Sequence, residues 1–180
     1  MKTGGLGGAS TLTGLHFEKK VDFQKVIGGM PGYEIKEVPG KVGMGVYFKG
    51  GLVARCFKKY DFYKFLLESK IDWKKLVSSR LVPDDALLVI VRETLFIIEI
   101  KSQKGQGSVD EKLQTCDFKR KKYLKLVSSL GLKVEYVYVL SDWFKKPRYK
   151  DVLEYVHSVN CHYRFNDLPL AWLGLPVPRI

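Results

Sequence analysis

The chain predicts one α/β domain with a mixed central β-sheet flanked by helices, on three observations. Its hydrophobic patterns run in the order helix, strands, central hairpin, helix, strand. The hairpin arms, residues 86–91 and 95–101, are almost continuously apolar, as strands covered on both faces are. And 180 residues with 46% hydrophobic content bury one core well but are too few for two comfortable domains.

Residues 1–13, rich in Gly, Ser and Thr, read as a flexible arm. Its Gly4-Gly5-Leu6-Gly7-Gly8 run has no preceding strand and no following Gly-Lys-Ser/Thr, which excludes a nucleotide-binding loop of that kind. Leu15, Phe17, Val21, Val26 and Ile27 interleave with charged residues as an amphipathic helix, with Thr13 as its cap and Gly28-Gly29 as its end. Residues 30–45, with two prolines and four glycines, read as a long irregular connection. Residues 46–48 and 52–57 flank Lys49-Gly50-Gly51 as a hairpin. Phe62, Phe65, Leu66 and Leu67 mark a helix over 61–69, with a further turn near 73–77.

After the central hairpin, whose turn falls around Arg92-Glu93-Thr94, Gly105 and Gly107 make a loop. Ser108 followed by Glu111 is a capping-box pattern. It opens a helix predicted over 109–130, with Leu113, Phe118, Leu124 and Val127 facing inward and Gly131 at its end. A strand at 133–140, a helix at 151–159 and an edge strand at 162–165 follow, and the proline-bearing tail from 169 packs as an apolar clasp. The core therefore spans about 14–141, with 142–180 as an extension.

The net charge of +12 points to an anionic partner. The excess is concentrated in residues 101–150, which hold 13 Lys or Arg against 5 Asp or Glu. No basic amphipathic helix stands apart from the core, so nucleic acid rather than a membrane surface is the expected partner. No apolar run reaches the roughly 18 residues of a membrane span, and no apolar export signal follows Met1-Lys2. A soluble, cytoplasmic protein is expected, and three scattered cysteines without a C-x-x-C pair fit a reducing compartment. His157, Cys161 and His162 lack a clear fourth ligand for a zinc site.

The chemistry concentrates in Pro83-Asp84-Asp85 and Glu99-Ile100-Lys101. Side chains alternate along a strand, so Glu99 and Lys101 share a face about 7 Å apart. With the hairpin turn centred on Glu93-Thr94, Asp84 and Asp85 come near Lys101 and just beyond it. Two nearby carboxylates repel unless a cation resolves the conflict, and Mg²⁺, a hard ion held by few carboxylates, suits them. Asp84 and Glu99 are the expected metal ligands, with the Ile100 carbonyl as a third. Lys101 would position the attacking water and stabilise charge on a phosphate. Asp85 competes with Asp84, and the adjacent Pro83 favours Asp84. The alternative for the whole constellation is a solvated surface salt bridge.

These motifs, with the helix, strand, hairpin, helix, strand order, resemble the PD-(D/E)xK nuclease superfamily over about residues 14–141, most nearly the type II restriction endonucleases. The resemblance implies a restriction-endonuclease-like αβββαβ core and a Mg²⁺-dependent, sequence-specific endonuclease acting on double-stranded DNA as a homodimer. Gly14-Leu15-His16-Phe17-Glu18 resembles the first-helix motif that supplies a further metal-site glutamate, and on that basis Glu18 joins the catalytic set beside Asp84, Glu99 and Lys101; an ordinary solvent-facing helix residue is the equal alternative. The loop residues Gln103, Lys104, Gln106 and Ser108 and the helix residues Lys119 and Lys122 are the expected DNA contacts. Aromatics and bases in 143–150 have two readings, stacking on nucleic acid or core packing with lysines outside, of which packing is favoured. A structure-specific nuclease and a non-catalytic nucleic-acid-binding module are the competing functions.

Overall fold

The computed structural model describes residues 14–16, 22–103 and 109–178. A seven-stranded mixed sheet forms its centre: β2 (Tyr33–Glu37), β3 (Met44–Phe48), β4 (Gly51–Lys58), β5 (Asp85–Val89), β6 (Thr94–Lys101), β7 (Lys133–Leu140) and β8 (His162–Phe165), in that spatial order. Neighbours from β2 to β6 are antiparallel, whereas β6–β7 and β7–β8 are parallel. The two parallel joins need crossovers. Helices α3 (Val109–Leu113) and α4 (Cys116–Val127) make the first, and α5 (Lys150–Ser158) makes the second.

The strand pleat sorts side chains into two cores. Leu95, Ile97, Val134, Tyr136 and Tyr138 pack with α2 (Asp61–Glu68), α4 and α5. On the other face, Phe96, Ile98, Val137 and Val139 pack with α1 (Phe23–Gly28), and with the two-stranded sheet formed by β1 (Gly14–His16) and β9 (Asp167–Pro169), and with α6 (Leu170–Leu173). β6 supplies buried residues to both cores, as its continuous apolar pattern predicts. The predicted clasp is this last group: Leu168, Leu170, Leu173 and Leu175 are buried.

Four local expectations are corrected. The amphipathic pattern predicts a helix from Thr13, but residues 14–16 are a strand and the helix starts at Phe23. Asp22 caps it by accepting from the Gln24 amide at 3.0 Å, and Leu15 finds its burial opposite Leu168 on a distant strand. The stretch 30–45 contains β2, whose residues pair fully with β3. The six-turn helix breaks after Leu113, where the Thr115 hydroxyl donates to the Lys112 carbonyl at 2.7 Å. Its restart turns Cys116, Tyr123, Leu126 and Val127 inward and leaves Phe118 65% exposed, against the expected inward position.

The fourth correction is the hairpin register. Glu93 takes a left-handed φ of 48° and its amide returns to the Ile90 carbonyl at 3.2 Å. The turn therefore closes over residues 90–93, earlier than Glu93-Thr94, and Asp85 pairs with Ile98. Asp84, just before β5, therefore comes to the Ile100 amide and the Lys101 ammonium and does not lie beyond Lys101.

Candidate functional site: two carboxylates and two lysines at the end of the central hairpin

Glu99 and Lys101 lie on the β6 face that carries Leu95 and Ile97, toward α4. At this end the apolar layer gives way to polar groups. The Glu99 carboxylate is only 6% exposed, and it would be costly to bury without partners. It has three. Lys101 Nζ is 2.8 Å from Oε2, Lys119 Nζ on α4 donates to both oxygens at 2.9 and 3.0 Å, and the Tyr136 hydroxyl donates to Oε1 at 2.5 Å.

Burial pushes the Glu99 carboxyl up, but the positive charges of Lys101 and Lys119 and the hydrogen bonds from Lys101 and Tyr136 more than offset it, leaving the group below its ordinary value. Glu99 is thus a fixed anion. Burial, then the neighbouring Glu99 charge, raises the Tyr136 phenol well above its ordinary value, so it remains a hydrogen-bond donor.

Asp84 completes the cluster. Its side chain is 52% exposed, its Oδ2 lies 3.7 Å from Lys101 Nζ and accepts from the Ile100 amide at 3.3 Å. Asp84 and Glu99 therefore converge on one cation, at present the Lys101 ammonium. The Ile100 amide points toward the β5 side, just beyond the first β5 residue, Asp85. A strand residue turns its N–H and C=O to the same edge, so the Ile100 carbonyl faces that way too.

Asp85 takes the opposite face, which resolves its competition with Asp84 for a place beside Glu99. It is 7% exposed and pairs across from Lys58, whose ammonium is hydrogen-bonded to Asp22. Burial pushes its carboxyl up to about 7, with Lys58 pulling it down and Asp22 and Asp84 pushing it up. Its Oδ1 has no hydrogen-bond partner among the described residues.

Oxygen donors of this kind suit Mg²⁺, which is commonly held by one or two carboxylates while waters and phosphate oxygens fill its other positions. Among the described residues no three of His, Cys, Asp and Glu gather into a metal-binding group. Asp84, Glu99 and the Ile100 carbonyl are thus the donors on hand, and a metal ion would have to replace ammonium contacts.

The remaining expected site residues divide. Glu18, Lys104, Gln106 and Ser108 lie outside the described residues. The Gln103 amide donates to the Ser141 hydroxyl at 3.4 Å, at the mouth of β7. Lys119, expected to face DNA, turns to Glu99, while Lys122 reaches the Ser79 hydroxyl at 3.1 Å. In the 143–150 segment Phe144 and Tyr149 are buried and the Trp143 indole donates to the Tyr149 hydroxyl at 2.7 Å, which is the packing arrangement.

Sequence reasoning missed the roles of Lys119 and Tyr136. Alternation alone places Tyr136 on one face of its strand, but its alignment with Glu99 requires the parallel β6–β7 register, in which Ile97 pairs with Tyr136. No family model, curated protein or solved structure matches this chain. Among the described residues no helix is long and apolar enough to cross a membrane.

Proposed function

We propose that this protein is a Mg²⁺-dependent endonuclease that hydrolyses phosphodiester bonds of double-stranded DNA. The observation that carries the reading is the convergence of Asp84 and Glu99 on a single cation position, with Lys101 between them and a basic helix alongside. The +12 net charge supplies the attraction for a polyanion.

In this reading Asp84, Glu99 and the Ile100 carbonyl hold the metal ion, which when bound polarises the phosphate and neutralises developing charge. Lys101, released from the carboxylates, holds the attacking water and the phosphate oxygens through charge-assisted hydrogen bonds. Water oxygen forms a bond to phosphorus as the bond to one deoxyribose oxygen breaks. The proton lost by water goes to solvent, and the departing oxygen takes one up. Lys119 and Tyr136 keep Glu99 ionised and aimed. A restriction-type, sequence-specific cut made by a homodimer is the form taken from the superfamily resemblance, and sedimentation of the purified chain tests the dimer.

Purified protein is incubated with supercoiled plasmid and with long linear DNA, in Mg²⁺ or in chelator. Discrete fragments that appear only with Mg²⁺ are expected. Retardation of DNA without cutting under any divalent ion would overturn the enzyme and leave a binding module.

A further inference from the structure

We infer that Phe118, with Lys122 beside it, is a base-stacking platform at the mouth of this site, and that the preferred substrate is DNA presenting an unpaired nucleotide next to the bond that is cut. The inference rests on the nuclease reading above and, within it, replaces the sequence-specific cut of intact duplex by cutting next to an unpaired nucleotide.

Phe118 breaks the pattern of its own helix. α4 hides Cys116, Tyr123, Leu126 and Val127, yet leaves a phenylalanine ring 65% exposed, more than any other aromatic among the described residues. Exposing a ring has a hydrophobic cost, which the contact with the Lys122 ammonium offsets only in part. At about 100° per residue, Lys122 lies between Phe118 and Lys119 on the helix surface. The three side chains therefore form one continuous strip. One edge of the strip is Lys119, whose ammonium is 2.9 Å from the Glu99 carboxylate. The other edge is the open ring, with Lys122 Nζ 5.8 Å from its centroid and anchored to Ser79 at 3.1 Å.

An exposed ring flanked by ammonium groups is the combination that holds single-stranded nucleic acid: the ring stacks a base and the cations take the neighbouring phosphates. A base inside an intact duplex has both faces covered by its neighbours and cannot offer one to Phe118. A nucleotide at a flap, gap, bulge or branch can, and unstacking is cheapest where pairing is already absent. The cationic flank selects a polyanion over an apolar protein surface as the occupant.

The test uses the full-length chain and DNA oligonucleotides carrying 2-aminopurine either in a perfect duplex or as an unpaired nucleotide in the same sequence. Anisotropy in chelator gives Kd, and 2-aminopurine fluorescence reports stacking. Wild-type protein is expected to bind the unpaired form about tenfold more tightly and to quench its fluorescence. Phe118→Ala should lose both effects, and Phe118→Trp should keep them. Because the ring is largely outside the core, the alanine variant should fold normally, which circular dichroism checks.

Equal affinity for both oligonucleotides, or unchanged binding and quenching in Phe118→Ala, would overturn the platform. So would conversion of a dimer to a monomer by Phe118→Ala with DNA binding intact, which would make the ring a contact between copies. Cleavage with Mg²⁺ is read separately. Phe118-dependent stacking without cutting refutes the nuclease and keeps the platform, whereas cutting indifferent to Phe118 refutes the platform and keeps the nuclease.

Discussion

Asp84 and Asp85 are adjacent in sequence and opposite in circumstance. Asp84 faces solvent beside a buried glutamate and two lysines, while Asp85 points into the other layer, nearly buried and short of a hydrogen-bond partner among the described residues. A strand's pleat turns neighbours to opposite faces, so one residue of displacement exchanges a cluster open to solvent for a nearly buried position across from Lys58. The titrations of Glu99 and Asp85 differ with their surroundings on the two faces. Glu99, on the Asp84 side, is held below its ordinary value by its lysines despite its burial, and Asp85 is raised because burial outweighs the help of Lys58. A perturbed carboxyl is therefore a poor guide to function here unless its face is known.

The largest expected difference between the two faces is in turnover. Glu99→Gln should reduce DNA cleavage by about a thousandfold, and Asp85→Asn should leave it within about threefold, measured as single-turnover rates. Loss of cleavage in Asp85→Asn at full folding would move the site to the opposite face. Next in size, Lys101→Ala should lose about a hundredfold in turnover while DNA affinity stays within a few-fold, because Lys122 and the other surface basic groups remain. Abolished DNA binding in that variant would contradict its assigned part in the chemistry.

A smaller effect concerns stability and belongs to Asp85. Its folded value of about 7 exceeds the ordinary 3.8, so the folded state holds this proton more tightly than the unfolded chain does. Its contribution is fully present below about pH 4 and is lost as pH rises through about 7. Asp85→Asn should flatten that decline and stabilise the protein by about 2 kcal/mol at pH 8, read from urea unfolding across pH. An unchanged pH profile would show that Asp85 is not an uncompensated buried acid. The smallest effect is expected of Tyr136→Phe, about 1.5 kcal/mol from loss of one hydrogen bond to a charged acceptor. Chemical denaturation measures it, and a stability equal to wild type would deny the Tyr136–Glu99 bond an energetic role.

Much of the frame was legible in the sequence because it depends on local pattern. The apolar arms of the central hairpin, the β3–β4 hairpin, the α2 helix, and the strands at 133–140 and 162–165 all form near their expected places. The expectation that Glu99 and Lys101 share a face also needed only the two-residue period of a strand. What failed were inferences about where a segment finds its partner. Leu15 looks like part of a helix until Leu168 is brought beside it, and β2 looks irregular until β3 supplies its hydrogen bonds. Phe118 looks inward until the break at Thr115 turns the helix.

The sequence by itself determined the α/β layering, the two apolar arms, the acidic and basic residue types at their ends and the shared face of Glu99 and Lys101. These follow from residue chemistry and backbone periodicity, which act over a few positions. Only the tertiary structure decided that Asp84 and Glu99 meet at the Lys101 ammonium, that Asp85 is turned away, and that Lys119 and Tyr136 close around the Glu99 carboxylate. Those outcomes depend on hairpin register, on the parallel alignment of β6 with β7 and on the rotation of α4, each fixed by packing between segments far apart in the chain.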